Sequence, residues 1–242
     1  MSLNDDAGFG YVVSRREALA LMGAAGAGAL LGTPVLSFGQ VPPCVVVPAQ
    51  MEGPYFVDGR LNRSDIRSDP SDNSVTPGIP LRVSLRVSRL SAAGACGPLA
   101  NAVVDVWQCD ALGRYSDFAD TRAQFDTRGR KFLRGHQVTG ADGQVEFTTI
   151  YPGWYPGRAV HIHFKIRTNP GGPGTDFTSQ LYFDESETDR VHAQPPYSTK
   201  GRRSTMNAND SIFRQGGSQL MLRLTGEGAG YAGRFELALK TA

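Results

Sequence analysis

Neither sign of charge dominates this sequence: 25 Lys and Arg stand against 23 Asp and Glu, a formal balance of +2, and charged residues are only 20% of the 242 residues. The electrostatic footprint of a nucleic-acid binder is therefore missing, and a pI near 8.5 is only mildly basic. The common zinc signatures H-E-x-x-H and C-x-x-C are absent, and no Glu stands four residues beyond His163. No stretch sustains a helical period, no segment repeats, and no interdomain linker interrupts the chain. The one long apolar run, 18–31, is too short and too rich in glycine for a firm membrane span. These absences point to a small molecule as partner, not a polymer or a bilayer, and they leave the oligomeric state open.

The first 39 residues read as an address label. Arg15-Arg16 precedes the apolar run, and Ser37-Phe38-Gly39 is a small-x-small site suited to signal peptidase. The arginine pair is similar to a twin-arginine export signal, although Ala18 and Ala20 depart from its favoured pattern. Residues 1–39 are thus expected to be a signal segment and 40–242 one domain, exported to the periplasm or beyond. In that oxidising setting Cys44, Cys96 and Cys109 form one disulfide and leave one thiol, in a pairing that sequence does not assign.

Beyond residue 44 the pattern is β. Residues 81–87 alternate strictly, and further strands are expected at about 101–108, 132–139, 144–150, 159–167, 177–183, 219–225 and 233–240, with one short helix over 184–192. Turn signals at 110–113, 140–143, 152–153 and 170–174 separate them. The expected fold is all-β: a sandwich of about eight mostly antiparallel strands with long loops at its active end. A domain of about 200 residues buries roughly 70% of the surface its unfolded chain exposes, so neither metal nor disulfide is needed merely to fold.

Within 159–167 the bulky apolar residues Val160, Ile162, Phe164 and Ile166 fall on even numbers. Successive strand side chains point to opposite faces, so the even set faces the core and His161 and His163 project together from the other side. Two of the chain's four histidines thus share one strand face, directly after a loop carrying Tyr151, Tyr155 and Arg158. Rigid strands beside loops are where binding residues are commonly presented. The plain alternative is a solvated polar face continued by Lys165 and Arg167. A phenolate is a hard, strongly donating anion that favours a high-charge ion, so tyrosines joined to this histidine pair would select Fe(III).

Several segments, in order, carry a resemblance: Glu52-Gly53-Pro54-Tyr55, Val104-Asp105-Val106-Trp107-Gln108 with Gly113-Arg114-Tyr115, Arg134-Gly135-His136-Gln137, 149–155, and Arg158-Ala159-Val160-His161-Ile162-His163. Over about residues 44–185 the chain resembles the intradiol ring-cleavage dioxygenases. The resemblance implies a β-sandwich holding Fe(III) by Tyr115, Tyr155, His161 and His163, with Tyr155 the ligand that leaves when substrate binds. It implies that Arg158 stabilises negative charge on the substrate ring, that Gln180 lies near the substrate, and that Gly53, Pro54 and Tyr55 wall the pocket. The implied reaction cleaves a catechol-type aromatic diol with O2 to a cis,cis-muconate-type diacid.

Only five residues separate Tyr155 from His161, fewer than in well-studied intracellular members, and no segment resembles the helical dimerisation region of the catechol-type enzymes. The chain is more similar to shorter, exported members, which suggests hydroxylated or substituted catechols from plant phenolics. Two other classes compete. A metal-free transthyretin-like or carbohydrate-binding sandwich explains the strands but not the Tyr-Arg-His-His run. A cupin-like or zinc enzyme explains His-x-His but needs a third ligand, for which only His136 and His192 remain.

Overall fold

Strict alternation in Pro80–Leu90 (β1) sends Leu81, Val83, Leu85 and Val87 into the interior with at most 1% exposure, while Arg82, Ser84 and Arg86 point away. Each such side chain removed from water contributes about 1.5–3 kcal/mol, which fixes which face of the strand is inside. The computed structural model describes residues 44–121, 124–169, 174 and 176–240; the signal-like segment 1–39 lies outside the described residues.

Cys96–Pro98 (β2), Val103–Trp107 (β3), Ala119–Asp120 (β4), Phe125–Asp126 (β5), Arg134–Val138 (β6), Gln144–Ile150 (β7), His161–Arg167 (β8) and Asp176–Tyr182 (β9) follow in order. A helix, Glu185–His192 (α1), three turns of 3-10 helix at Tyr197–Lys200, Asn207–Asn209 and Gly217–Gln219, and the strands Arg223–Glu227 (β10) and Gly230–Lys240 (β11) complete the described elements. One sheet runs β10-β11-β1, with β2 and β7 both paired to the far edge of β1; the other runs β6-β3-β8-β9. All these pairs are antiparallel except β1 with β11. The inner faces meet in one apolar core, in which Phe164 of β8 and Phe235 of β11 approach to 6.4 Å between ring centroids.

All eight expected strands are present. The expected 219–225 strand begins later, at Arg223, because residues 217–219 form a turn of 3-10 helix, and the very short β2, β4 and β5 carry no alternation from which to read them. The expected short helix is α1: Asp184 caps it by accepting from the backbone N–H groups of Ser186 and Glu187 at 2.9 and 3.2 Å. Cys44 and Cys96 form the disulfide, tying the start of the described chain to β2, and Cys109 is a buried thiol. Burial pushes that thiol up to about 12.

The second sheet departs from the simplest sandwich on its outer side. A solvated outer face would leave His161 and His163 wet, yet they are 2% and 1% exposed. The segment around residues 50–58 lies across that face: Met51 O accepts from Gln180 Nε2 at 3.0 Å, Glu52 pairs with Lys165 at 2.9 Å, and Asp58 pairs with Arg167 at 3.1 Å. The outer face of β8 is thus a second interior, polar instead of apolar.

Candidate metal centre

The β8 pairings place the site. In register, His163 stands between Trp107 of β3 and Gln180 of β9, and His161 stands opposite Tyr182. Trp107 stacks on His163 with centroids 4.8 Å apart and planes 4° from parallel, fixing that ring by contact. His161 is fixed by a hydrogen bond: its Nδ1 lies 2.6 Å from the carbonyl of Ala159, which can only accept, so Nδ1 carries the proton and Nε2 presents a lone pair.

Four donor atoms converge there. His161 Nε2 is 3.0 Å from His163 Nε2, 3.4 Å from Tyr115 Oη and 3.3 Å from Tyr155 Oη. Metal–nitrogen bonds of about 2.0–2.1 Å, with angles between about 90° and 109°, set neighbouring donors about 3.0–3.4 Å apart. The observed contacts match the edges of such a polyhedron. Among the described residues no three His, Cys, Asp or Glu side chains gather to hold a metal ion, so the phenols are what makes this a metal-holding set. His136, in β6 opposite Asp105, and His192, which donates to Pro152 O at 3.0 Å, contribute no third imidazole to it.

The electrostatics agree with this geometry. Burial, reinforced by the nearby Arg158 charge, drives the His161 pKa well below its usual value; His163 is lowered by burial and then by His161. Burial raises Tyr115 and Tyr155 far above the usual phenol range. Two neutral imidazoles and two phenols that ionise only at high cost are stable together when a cation supplies the missing counter-charge. The donor set therefore fits a hard, highly charged ion held by Tyr115, Tyr155, His161 and His163.

Around these donors lies a positioned rim. The Arg158 guanidinium reaches Asp210 through Nε at 2.9 Å, Gln180 Oε1 through Nη2 at 2.5 Å and Tyr182 Oη at 3.5 Å, with Nη1 3.4 Å from His161 Nε2. Gln180 is fully buried, and its amide nitrogen is held by Met51 O. Tyr55 stacks on Tyr115 at 4.1 Å and 10°. Gly53, at φ +73°, passes so near His163 that a Cβ there would stand 3.7 Å from its Cε1. Pro54 is exposed, at the outer lip of the same turn. Every residue expected from sequence is brought to this region, Pro54 as its margin.

Sequence reasoning missed four contributors. Tyr182 was legible in principle, since it alternates with Gln180 on one face of β9. Trp107 follows from the β3–β8 register, which no local signal sets. Asp210 comes from a loop without periodicity. Arg134 is 3% exposed and donates to Tyr55 O at 3.1 Å and to Ser116 Oγ at 2.7 Å, tying together the two segments that carry the stacked tyrosines. Burial lowers its pKa to about 10, outweighing the opposing charge of Asp117.

The fold and donor set define a β-sandwich with a buried centre of two phenols and two imidazoles. A dioxygenase family model matches residues 51–202. A solved structure described as an intradiol ring-cleavage dioxygenase from Tetranychus urticae is 32% identical, with a TM-score of 0.69, over 81% of this chain and 95% of that one. Catechol 1,2-dioxygenase 1 of Acinetobacter lwoffii is 31% identical over 50% of this chain and 42% of its own length. The protocatechuate 3,4-dioxygenase beta chain of Burkholderia cepacia is 32% identical over 52% and 56%. The chain thus spans about half the length of these curated relatives. It belongs to the intradiol ring-cleavage dioxygenase family, whose members use non-haem iron. Among the described residues no helix is long and apolar enough to cross a membrane.

Proposed function

We propose that this protein cleaves the ring of a catechol-type aromatic between its two hydroxyl-bearing carbons. Both atoms of O2 enter the product, a cis,cis-muconate-type diacid, and Fe(III) is held by Tyr115, Tyr155, His161 and His163. The observation that carries the reading is the convergence of these four donor atoms around His161 Nε2 at 3.0–3.4 Å. The ion would lower the pKa of the diol hydroxyls and draw electron density from the ring.

The chain's own groups divide the remaining work. Tyr115 is locked beneath Tyr55 and is 1% exposed, whereas Tyr155 is only partly covered. Tyr155 is therefore the ligand able to turn aside, and as a phenolate released from the ion its oxygen would accept a substrate hydroxyl proton. Arg158 is 15% exposed and aimed beside the donors, where water is scarce and a fixed positive charge strongly stabilises negative charge gathering on the ring. Gln180 and Asp210 hold that guanidinium, and Gly53, Pro54 and Tyr55 close the opposite wall.

Residues 1–39 fit export by the twin-arginine route, and the disulfide between Cys44 and Cys96 suits an oxidising compartment. Substituted catechols from plant phenolics would be met there.

Metal analysis, visible spectroscopy and anaerobic catechol titration test the reading. Iron-loaded protein should show a red to brown tyrosinate-to-iron band that shifts on adding catechol, then release the ring-opened diacid when O2 is admitted. Colourless protein that binds zinc or no metal, with catechol recovered intact, would overturn it in favour of a zinc enzyme or a metal-free binding module.

A further inference from the structure

Strand edges in this fold are mostly covered. Leu61 and Arg63 bond to the backbone of His136 along β6, Ser64 and Ile66 to Thr148 of β7, and Gln50 and Leu220 to Thr178 and Tyr182 of β9. β10 differs: it ends its sheet, four of its five residues are exposed, and among the described residues its outer side takes no backbone hydrogen bond. An open edge of this kind is a template for another strand.

The hairpin fixes which groups lie open. β10 turns into β11 through Gly228 and Ala229, with Gly228 at φ +56° and Glu227 opposite Gly230. The pair closing a two-residue turn exchanges both hydrogen bonds, and bonded pairs alternate along an antiparallel ladder. Arg223, Thr225 and Glu227 thus direct their backbone groups to β11, while Leu224 and Gly226 direct theirs outward.

Side chains add an independent constraint. Arg223 and Glu227 stand at the two ends of β10, on one face and equally far from Thr225. Arg223 has no carboxylate partner among the described residues and stands opposite Arg234 of β11. Glu227 accepts from Arg82 at 2.7 Å yet keeps 47% of its side chain exposed, which leaves room for a second guanidinium. On the other face Leu224 packs at the core margin, whereas a Cβ on Gly226 would meet nothing within 4 Å.

We propose that β10 is a homodimer interface, two copies pairing antiparallel about a two-fold axis at Thr225. In that register Leu224 and Gly226 of opposite copies exchange their open N–H and C=O groups. Arg223 meets Glu227 of the second copy, and Leu224 covers the space over the second copy's Gly226. A shift by two residues keeps the hydrogen-bond phase but separates the opposite charges, and parallel pairing in register sets like charges together. The contact is isologous, so it closes at two copies.

Sedimentation velocity on the full chain should show a reversible monomer–dimer equilibrium with a Kd of about 1–100 µM, as a small interface predicts. Gly226→Pro removes an outward N–H and leaves the β10–β11 ladder intact. Arg223→Glu sets like charges together across the axis and relieves the contact with Arg234. Each should weaken the dimer about tenfold or more with the unfolding midpoint unchanged, and if Gly226→Pro fails to fold, Arg223→Glu decides. Thr225→Cys puts two thiols on the axis, in a non-hydrogen-bonded pair with Cα atoms about 4.5 Å apart, so mild oxidation should give a covalent dimer that reduction reverses. Adding Arg223→Glu to Thr225→Cys should suppress that cross-link. Wild-type protein that stays monomeric at about 100 µM overturns the proposal. A dimer left unchanged by the folded variants overturns it too, as does equal cross-linking with and without Arg223→Glu.

Discussion

Asp210 grips Arg158 across 52 residues of chain, its buried Oδ2 accepting from the guanidinium Nε at 2.9 Å and from the Ala159 N–H at 2.7 Å. Its other oxygen accepts from Ile212 and Phe213 N–H groups, so a loop without regular structure is folded around one carboxylate that aims a cation at the donor cluster. Asp210→Asn removes the charge and leaves at least one donor facing another. It should cost about 3–5 kcal/mol in stability, as breaking a buried pair does, read from urea unfolding. In folded enzyme kcat should fall about ten- to a hundredfold, with iron content unchanged. Equal loss in iron content would instead place Asp210 in support of the ligands.

The two phenols should separate spectroscopically. Tyr115→Phe removes the buried, stacked oxygen and should lower iron affinity by at least about tenfold, with loss of the visible band. Tyr155→Phe removes the partly covered one and should shift the band while retaining most of the metal. Metal analysis alongside the spectrum distinguishes the two, and unaltered spectra in both variants would remove the ligand assignment.

Acid sensitivity should trace in part to Asp69, a buried carboxylate outside the donor set. Burial alone would raise this carboxyl, but hydrogen bonds from Ser71, Arg130 and the Lys131 N–H outweigh it and hold the pKa at about 2 against an ordinary 3.8. A group depressed in the folded state contributes its full stability above about pH 4 and loses it as pH falls through about 2. Asp69→Asn should therefore lower stability by about 1–3 kcal/mol at neutral pH and flatten the decline between those limits. Urea midpoints measured from pH 7 to 2 check it; parallel curves for both proteins would dismiss Asp69 as a contributor.

Reduction should loosen the fold without touching the centre. The disulfide joins residues 52 positions apart, and opening a loop of that size costs about 2–4 kcal/mol. Cys44→Ser should lower the melting temperature while leaving the visible band in place. A band lost together with the disulfide would link the amino-terminal tie to the iron site.

Strand positions were the most legible part of this protein, because burial of one sheet face imposes alternation. Leu81 to Val87 and Val160 to Ile166 announce their faces by spacing alone. The His161–His163 pair was legible for the same reason. What spacing could not supply was the environment of the outer face. Alternation tells which residues point away from the core, but not whether water or another segment meets them, and here the 50–58 segment does.

The sequence by itself determined the β class and the strand that presents two imidazoles. Both follow from periodicity, a property of neighbouring residues, whereas the tyrosines and arginine that accompany them were marked by the family resemblance of its ordered motifs. Only the tertiary structure decided that Tyr115 and Tyr155 reach within 3.4 Å of His161 Nε2, that Trp107 clamps His163, that Asp210 holds Arg158 and that Cys44 pairs with Cys96. Apart from Tyr155 with His161, only six residues apart, each of those contacts joins chain segments far apart in sequence. They are set by strand register and loop closure, and a chain read residue by residue carries no local energy term for either.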